Sequence, residues 1–378
     1  MRTIKRTIIL GLLALGLLTA ACGGATTPAA PPGQGTAAET RVLSGPAEQL
    51  QPLLDEAAAV LPAPGAGVAV AVIDGDATSI GVAGNPTIGA DTLFEYGSIT
   101  KVLTANLLAQ LAAEGVVALD DSVNAYLPGE LQDEQWAPVT LADLSSHSAG
   151  LPRLPPNLNA VSMVLRGDPA DPYATYDVAQ LYEGLADVRP DAPGGDAEYS
   201  NLGAGWLGTI LSQVTGLSYG ELAQERVFDP LGMTTATIDG WASDNIAPPL
   251  DDSGRPVANW NFQALAGAGA ARGSIQDAAA FLRASLAACK GDDAVARANC
   301  LAQQPTGHQL SADTEMGLGW LRTTAEGGTA VWHNGGTGGY RSFLGFNPAT
   351  GRGVVLLSNV GGLDALDSIG LRYLLGIE

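Results

Sequence analysis

An α+β fold is predicted: an antiparallel sheet flanked by N- and C-terminal helices, with a mostly helical domain inserted between its strands. Three observations predict it. Strand-like runs joined by glycine turns occur near both ends, at residues 67–84 and 329–359. Helical spacing governs 46–62, 98–114 and 363–378. Between them, 120–320 breaks into helical pieces separated by proline-rich loops such as GLPRLPPNL. Strands at both ends with helices between imply one sheet assembled from distant segments.

The chain opens on MRTIKRTIILGLLALGLLTAAC, a basic start (Arg2, Lys5, Arg6) followed by an apolar run from Ile8 to Ala21. That run falls short of the roughly 18 residues a bilayer span needs, so 1–21 reads as an export signal outside the fold. Ala20 and Ala21 before Cys22 resemble a lipoprotein signal, with Cys22 as the lipidated residue; plain secretion is the alternative. Small, polar and proline-rich residues over 22–45 form a tether. Leu50, Leu53, Leu54, Ala57 and Leu61 then share one helical face. Residues 67–84 read as two strands around Asp74-Gly75. From Ser98 an Ala/Leu-rich helix runs to about Glu114, with Gly115 as its stop. TAVWHNGG, YRSFLGFNP and GRGVVLLSN return to strands, the last two turning at Thr350-Gly351, and LDALDSIGLRYLLGIE closes as a helix. The domains are therefore 46–115 with 321–378, the α/β part, and 116–320, the helical part.

Hydrophobic residues make up 46% of the 378, ample for a packed core, and the formal net charge is −21. Such acidity argues against nucleic acid, because phosphate binding needs a basic surface. Export places Cys289 and Cys300, close in sequence, in an oxidising compartment; they form either a local disulfide or two free thiols.

Lysine occurs only at Lys5, Lys101 and Lys290. Lys101 stands three residues after Ser98, on one helical face with it. A serine hydroxyl is a poor nucleophile until a base takes its proton, and the positive end of a helix favours an alkoxide-like oxygen. Lysine can be that base when burial lowers its pKa; arginine cannot. Ser-x-x-Lys alone is weak. It is joined, in order, by Tyr199-Ser200-Asn201 and His333-Asn334-Gly335.

With these motifs, and with LADLSSHSAGLPRLP, ALAGAGAARGSIQDAAAFL, MGLGW and HNGGTGGYRSFLGFNPATGRGVVLLSN, the chain from about residue 46 onward resembles the serine β-lactamase and penicillin-binding superfamily. The likeness is to its class C-like branch, which holds β-lactamases, D-alanyl-D-alanine carboxypeptidases, D-aminopeptidases and esterases. The resemblance implies Ser98 as nucleophile, Lys101 as its proton acceptor, and Tyr199 as general base and then acid. It implies Asn201 on the substrate amide, His333 and Gly335 on the strand edging the cleft, and the backbone N–H groups of Ser98 and Gly336 as oxyanion hole. Most class C β-lactamases carry lysine where His333 stands. Histidine titrates near neutrality, so carboxylate-bearing substrates are expected to lose activity as His333 deprotonates, and a D-amino-acid peptide or ester is favoured over a β-lactam.

The expected function is an exported, lipid-anchored serine hydrolase at the outer face of the cell membrane or in the periplasm. It acts as a monomer on a small-molecule or short-peptide substrate and needs no cofactor. A true β-lactamase and a non-catalytic peptidoglycan sensor are the alternatives. Ser243-Asp244-Asn245 spells a second motif of class A β-lactamases but reads as a polar turn. His147 could form a triad with Ser98, though a hydrogen-bonded loop histidine is the commoner fate. His308 is expected to be exposed. Trp332 and Tyr340 could line the cleft or pack in the core. The scattered histidines offer no metal-ligand spacing.

Overall fold

The computed structural model describes residues 38–158 and 170–377. The expected export signal, Cys22 and the first part of the expected tether lie outside the described residues. In chain order the strands are β1 (Thr40–Ser44), β2 (Gly67–Asp74), β3 (Ala77–Gly84), β4 (Leu93–Glu95), β5 (Arg272–Ser274), β6 (Thr314–Met316), β7 (Leu321–Ala325), β8 (Gly328–Gly336), β9 (Arg341–Asn347) and β10 (Arg352–Ser358). The α-helices among the described residues are α1 (Ala47–Ala59), α2 (Thr100–Ala113), α3 (Leu141–Ser146), α4 (Val178–Ala186), α5 (Asn201–Thr215), α6 (Tyr219–Ala223), α7 (Ala266–Gly269), α8 (Ile275–Ala288), α9 (Ala294–Ala302) and α10 (Ala365–Leu375).

One antiparallel sheet runs β1-β3-β2-β10-β9-β8-β7-β6, and β4 pairs separately with β5. The β2–β3 hairpin closes where Asp74 faces Ala77, around Gly75 at φ +58°. Asn347 faces Arg352 across the β9–β10 turn. The two ends of the chain meet at the β2–β10 seam, where Val70 faces Leu356.

Strand alternation sends side chains to two faces. Val68, Val70, Val72, Val354 and Leu356 join one core with Leu50, Leu53, Leu54 and Ala57 of α1 and Leu366, Ile369, Leu374 and Leu375 of α10. Ala69, Ala71, Ile73, Val355 and Leu357 face the larger core, which holds α2 and α8. Each fully buried leucine stabilises by about 2 kcal/mol relative to exposure.

Two expected boundaries shift. Thr40–Ser44, assigned to the tether, pairs with β3 as an edge strand, because β3 leaves a row of unpaired backbone groups that another strand can satisfy. The stretch 116–320 is not all helical lobe: α8 packs on β2, β9 and β10, and β5 and β6 lie within it. The apolar side of α8 (Ile275, Ala278, Ala279, Phe281, Leu282) covers the sheet's second face, which would otherwise meet water. Cys289 and Cys300 are bonded, tying the end of α8 to α9.

α2 is the spine of the molecule. Twelve of its residues, Thr100 to Leu111, are buried, because it runs between α5, α7 and α9. Lys101 is the only charged residue in TKVLTANLLAQLAA.

Candidate active site

Ser98 lies on a 3₁₀ turn, Gly97–Ile99, that leads directly into α2. Tyr96, just before it, is fixed from two directions: its N–H donates to Ala271 O (2.8 Å) and its hydroxyl to Ser274 O (2.6 Å). Gly97 has φ +54°, a conformation that favours glycine. A Cβ on Gly97 would stand 2.8 Å from Gly336 N, and one on Gly335 would stand 2.0 Å from Tyr96 O and 2.9 Å from Ser98 N. The backbone of β8 therefore lies against the Ser98 turn, and Ser342 Oγ holds the contact by donating to Tyr96 O (2.7 Å). The amide nitrogens of Ser98 and Gly336 meet at this seam.

One turn on, Lys101 Nζ sits 2.9 Å from Ser98 Oγ, 2.8 Å from Asn201 Oδ1 and 2.8 Å from Ala268 O. Among the described residues the side chain has no acidic partner. Burial, assisted by the Arg153 guanidinium, holds its pKa well below the ordinary lysine value.

Tyr199 and Asn201 arrive from the other side of the chain's middle. Ser200 caps α5, its side chain accepting from Gly203 N (2.9 Å) and donating to Pro152 O (2.8 Å). Asn201 N donates to Arg153 O (2.9 Å). The loop HSAGLPR after α3 thus clamps the start of α5. Lys101 Nζ lies 4.9 Å from the Tyr199 ring centroid, and Arg153 Cζ lies 5.1 Å from it. Burial pushes the Tyr199 phenol up to about 12, opposed by its hydrogen bond with Ser98 and by Arg153 and Arg341. At rest the phenol is protonated, because desolvation outweighs the cations.

His333 is wholly buried on β8, with Nδ1 on the Asn334 carbonyl and, among the described residues, no hydrogen-bond partner at Nε2. Burial, with Lys101 as a lesser cause, lowers its pKa to about 3. The expected loss of activity through His333 deprotonation near neutrality is therefore corrected. The imidazole is neutral throughout that range because desolvation disfavours its charged form.

His147 does not complete a Ser98 triad. It caps α3 in a left-handed conformation (φ 61°), its Nδ1 accepts from Ser200 N (3.2 Å), and its ring lies 4.5 Å from that of Tyr199. It supports the Tyr199 motif. Ser243 Oγ accepts from Asn245 N (3.3 Å) in an exposed turn. His308, expected to be exposed, is half-buried and meets Gly195 O at 2.7 Å. Trp332 stacks on Phe343 and Tyr340 donates to Ala247 O (2.7 Å), so both serve packing. Among the described residues no cluster could hold a metal ion.

Sequence reasoning missed two members. Arg153, inside the quoted LPRLP, is exposed beside Tyr199. Tyr173 is buried, hydrogen-bonded to Asn201 and stacked on Phe262 at 4.8 Å. A basic residue in a proline-rich loop of an acidic chain was the available signal for Arg153; Tyr173 had none.

A family model described as Beta-lactamase matches residues 57–375. D-alanyl-D-alanine-carboxypeptidase/endopeptidase AmpH of Escherichia coli (strain K12) is 30% identical over 179 residues, 45% of this chain and 45% of that protein. The chain thus spans under half the length of that relative. Penicillin-binding protein 4 of Amycolatopsis lactamdurans is 29% identical over 345 residues, covering 83% of this chain and 85% of that one. In structure, a class C beta lactamase from Rhodobacter sphaeroides superposes with a TM-score of 0.70 at 23% identity, over 87% of this chain and 98% of that one. That likeness shows a shared α+β fold.

Proposed function

The chain belongs to the beta-lactamase family, and from that premise we propose that it is an exported serine hydrolase working through an acyl-serine intermediate on amide or ester bonds. One observation carries this reading: the three-way contact of Lys101 Nζ with Ser98, Asn201 and Ala268. A neutral amine has two N–H donors and one lone pair. Asn201 Oδ1 and Ala268 O take the donors, which leaves the lone pair for the Ser98 hydroxyl.

As Ser98 Oγ bonds the substrate carbonyl carbon, its proton passes to Lys101. The carbonyl oxygen gains negative charge against the N–H groups of Ser98 and Gly336. When the intermediate collapses, the scissile bond breaks, and the leaving atom takes the proton of the Tyr199 hydroxyl. Lys101 then returns its proton to Tyr199, and the ammonium beside the ring favours the transient phenolate. Water repeats the sequence in place of Ser98 and frees the acid. Asn201 Oδ1 accepts from Lys101, leaving its amide nitrogen to donate to substrate.

A D-amino-acid peptide or a carboxylic ester is favoured over a β-lactam, because His333 supplies no cation on the strand. The name of one relative, a D-alanyl-D-alanine carboxypeptidase/endopeptidase, supports the peptide reading. Export, the Cys22 anchor and a monomeric state belong to the same proposal. The test is intact mass against time with benzylpenicillin, with drug consumption followed in parallel. An adduct or drug loss abolished by Ser98→Ala supports the reading, and slow release marks a peptidase-like enzyme. Should esters and D-amino-acid peptides also leave protein and substrate unchanged, the hydrolase reading is wrong.

A further inference from the structure

We propose that Arg153 is an anion subsite of the cleft: it pairs with a carboxylate on the acyl half of the substrate, beside Asn201. This rests on the hydrolase reading above.

The cations around the site differ in how they are used. Lys101 is buried against neutral partners. Arg341 is spent on Asp364 (3.1 Å) and on Asp367, which it also contacts. Arg272 donates to Gly240 O (2.9 Å), Trp260 O and Asn261 Oδ1. His333 carries no charge. Arg153 is left: its guanidinium is exposed, lies 5.1 Å from the Tyr199 ring, and has no ion pair or side-chain hydrogen bond among the described residues.

The position is built rather than incidental. Arg153 O accepts from Asn201 N and Leu202 N (2.9 and 3.3 Å), so its backbone is locked to the first turn of α5. Its charge also acts on Lys101, His147, Tyr173 and Tyr199. A guanidinium so placed offers a planar pair of donors to a carboxylate. With a net charge of −21 the molecule repels anions at long range, so recognition of an anionic substrate requires a local cation. Here that cation stands on the helical side of Ser98, opposite the strand that carries His333.

Binding and turnover test this separately. In Ser98→Ala protein, glutaric acid monoanilide is expected to bind about tenfold or more tightly than its methyl ester, measured by calorimetry. Adding Arg153→Gln should equalise the two, and Arg153→Lys should restore part of the preference. Equal affinities with Arg153 present, a preference that survives Arg153→Gln, or binding of neither compound would each overturn the proposal. In the wild-type chain, the kcat/KM ratio of p-nitrophenyl glutarate monoester to p-nitrophenyl pentanoate should fall at least about tenfold on Arg153→Gln, with the loss mainly in KM. A ratio unchanged within about twofold overturns it. If neither ester is hydrolysed in a Ser98-dependent way, the hydrolase reading fails, and the binding titration still decides Arg153.

Discussion

The sheet side of the cleft reaches Ser98 with backbone, through Gly335 and Gly336, whereas the helical side supplies side chains: Tyr199 on Ser98, Asn201 on Lys101, and Arg153 over the Tyr199 ring. The strand side is dense, its His333 ring neutral and buried and its Arg341 paired with Asp364 and Asp367. The helical side holds the exposed cation and the hydroxyl with the high pKa. Such a division suits acyl transfer: a rigid strand fixes where the oxyanion forms, while capped helix ends position groups that exchange protons. Lys101 stands between the two, on the helix that both sides bury.

The largest effect expected of that division lies at its centre. Lys101→Arg should lower kcat/KM by about 10³-fold or more, since arginine keeps the charge and cannot accept the Ser98 proton. An active Lys101→Arg enzyme would remove lysine from the base role. On the strand side, Gly335→Ala should cost about 10²–10³-fold in kcat, because its Cβ would stand 2.0 Å from Tyr96 O and push β8 from the Ser98 turn. Gly336→Ala should lose less, because its Cβ would meet nothing nearer than Arg341 Nη1 at 3.4 Å. Equal losses would show that the seam is not what the glycines protect. On the helical side, Tyr199→Phe should cost about 10²-fold, chiefly for poor leaving groups that need a proton.

The pH profile separates the sides without a loss of activity. With a neutral ester, kcat/KM should rise with pH as Lys101 sheds its proton, because only the free amine is a base. Arg153→Gln removes a charge that lowers the Lys101 pKa, so this rising limb should move to higher pH. His333, with a pKa of about 3, should add no inflection between pH 6 and 8. One that disappears in His333→Asn would mean the ring is less buried than described. Smallest of all, Ser243→Ala in its exposed turn should leave kcat/KM within about twofold and thermal stability nearly unchanged.

Much of this was legible residue by residue. Alternation in GVAVAVID and GRGVVLLSN fixes which side chains face which core, because pleated strands allow only two directions. The turn at Gly75 follows from the need for φ > 0. Ser98 and Lys101 meet because helical geometry brings i and i+3 together wherever the helix lies. What tertiary structure alone decided is the state of those groups. The pKa of Lys101 is lowered because α5, α7 and α9 exclude water from α2, and those helices come from residues 201–302. His333 belongs to a motif, yet it carries no charge because burial by distant segments, and secondarily Lys101, lowers its pKa. Arg153 became part of the site only because its loop clamps the start of α5. Spacing is a property of the local backbone; desolvation and charge depend on whatever the rest of the chain packs around it.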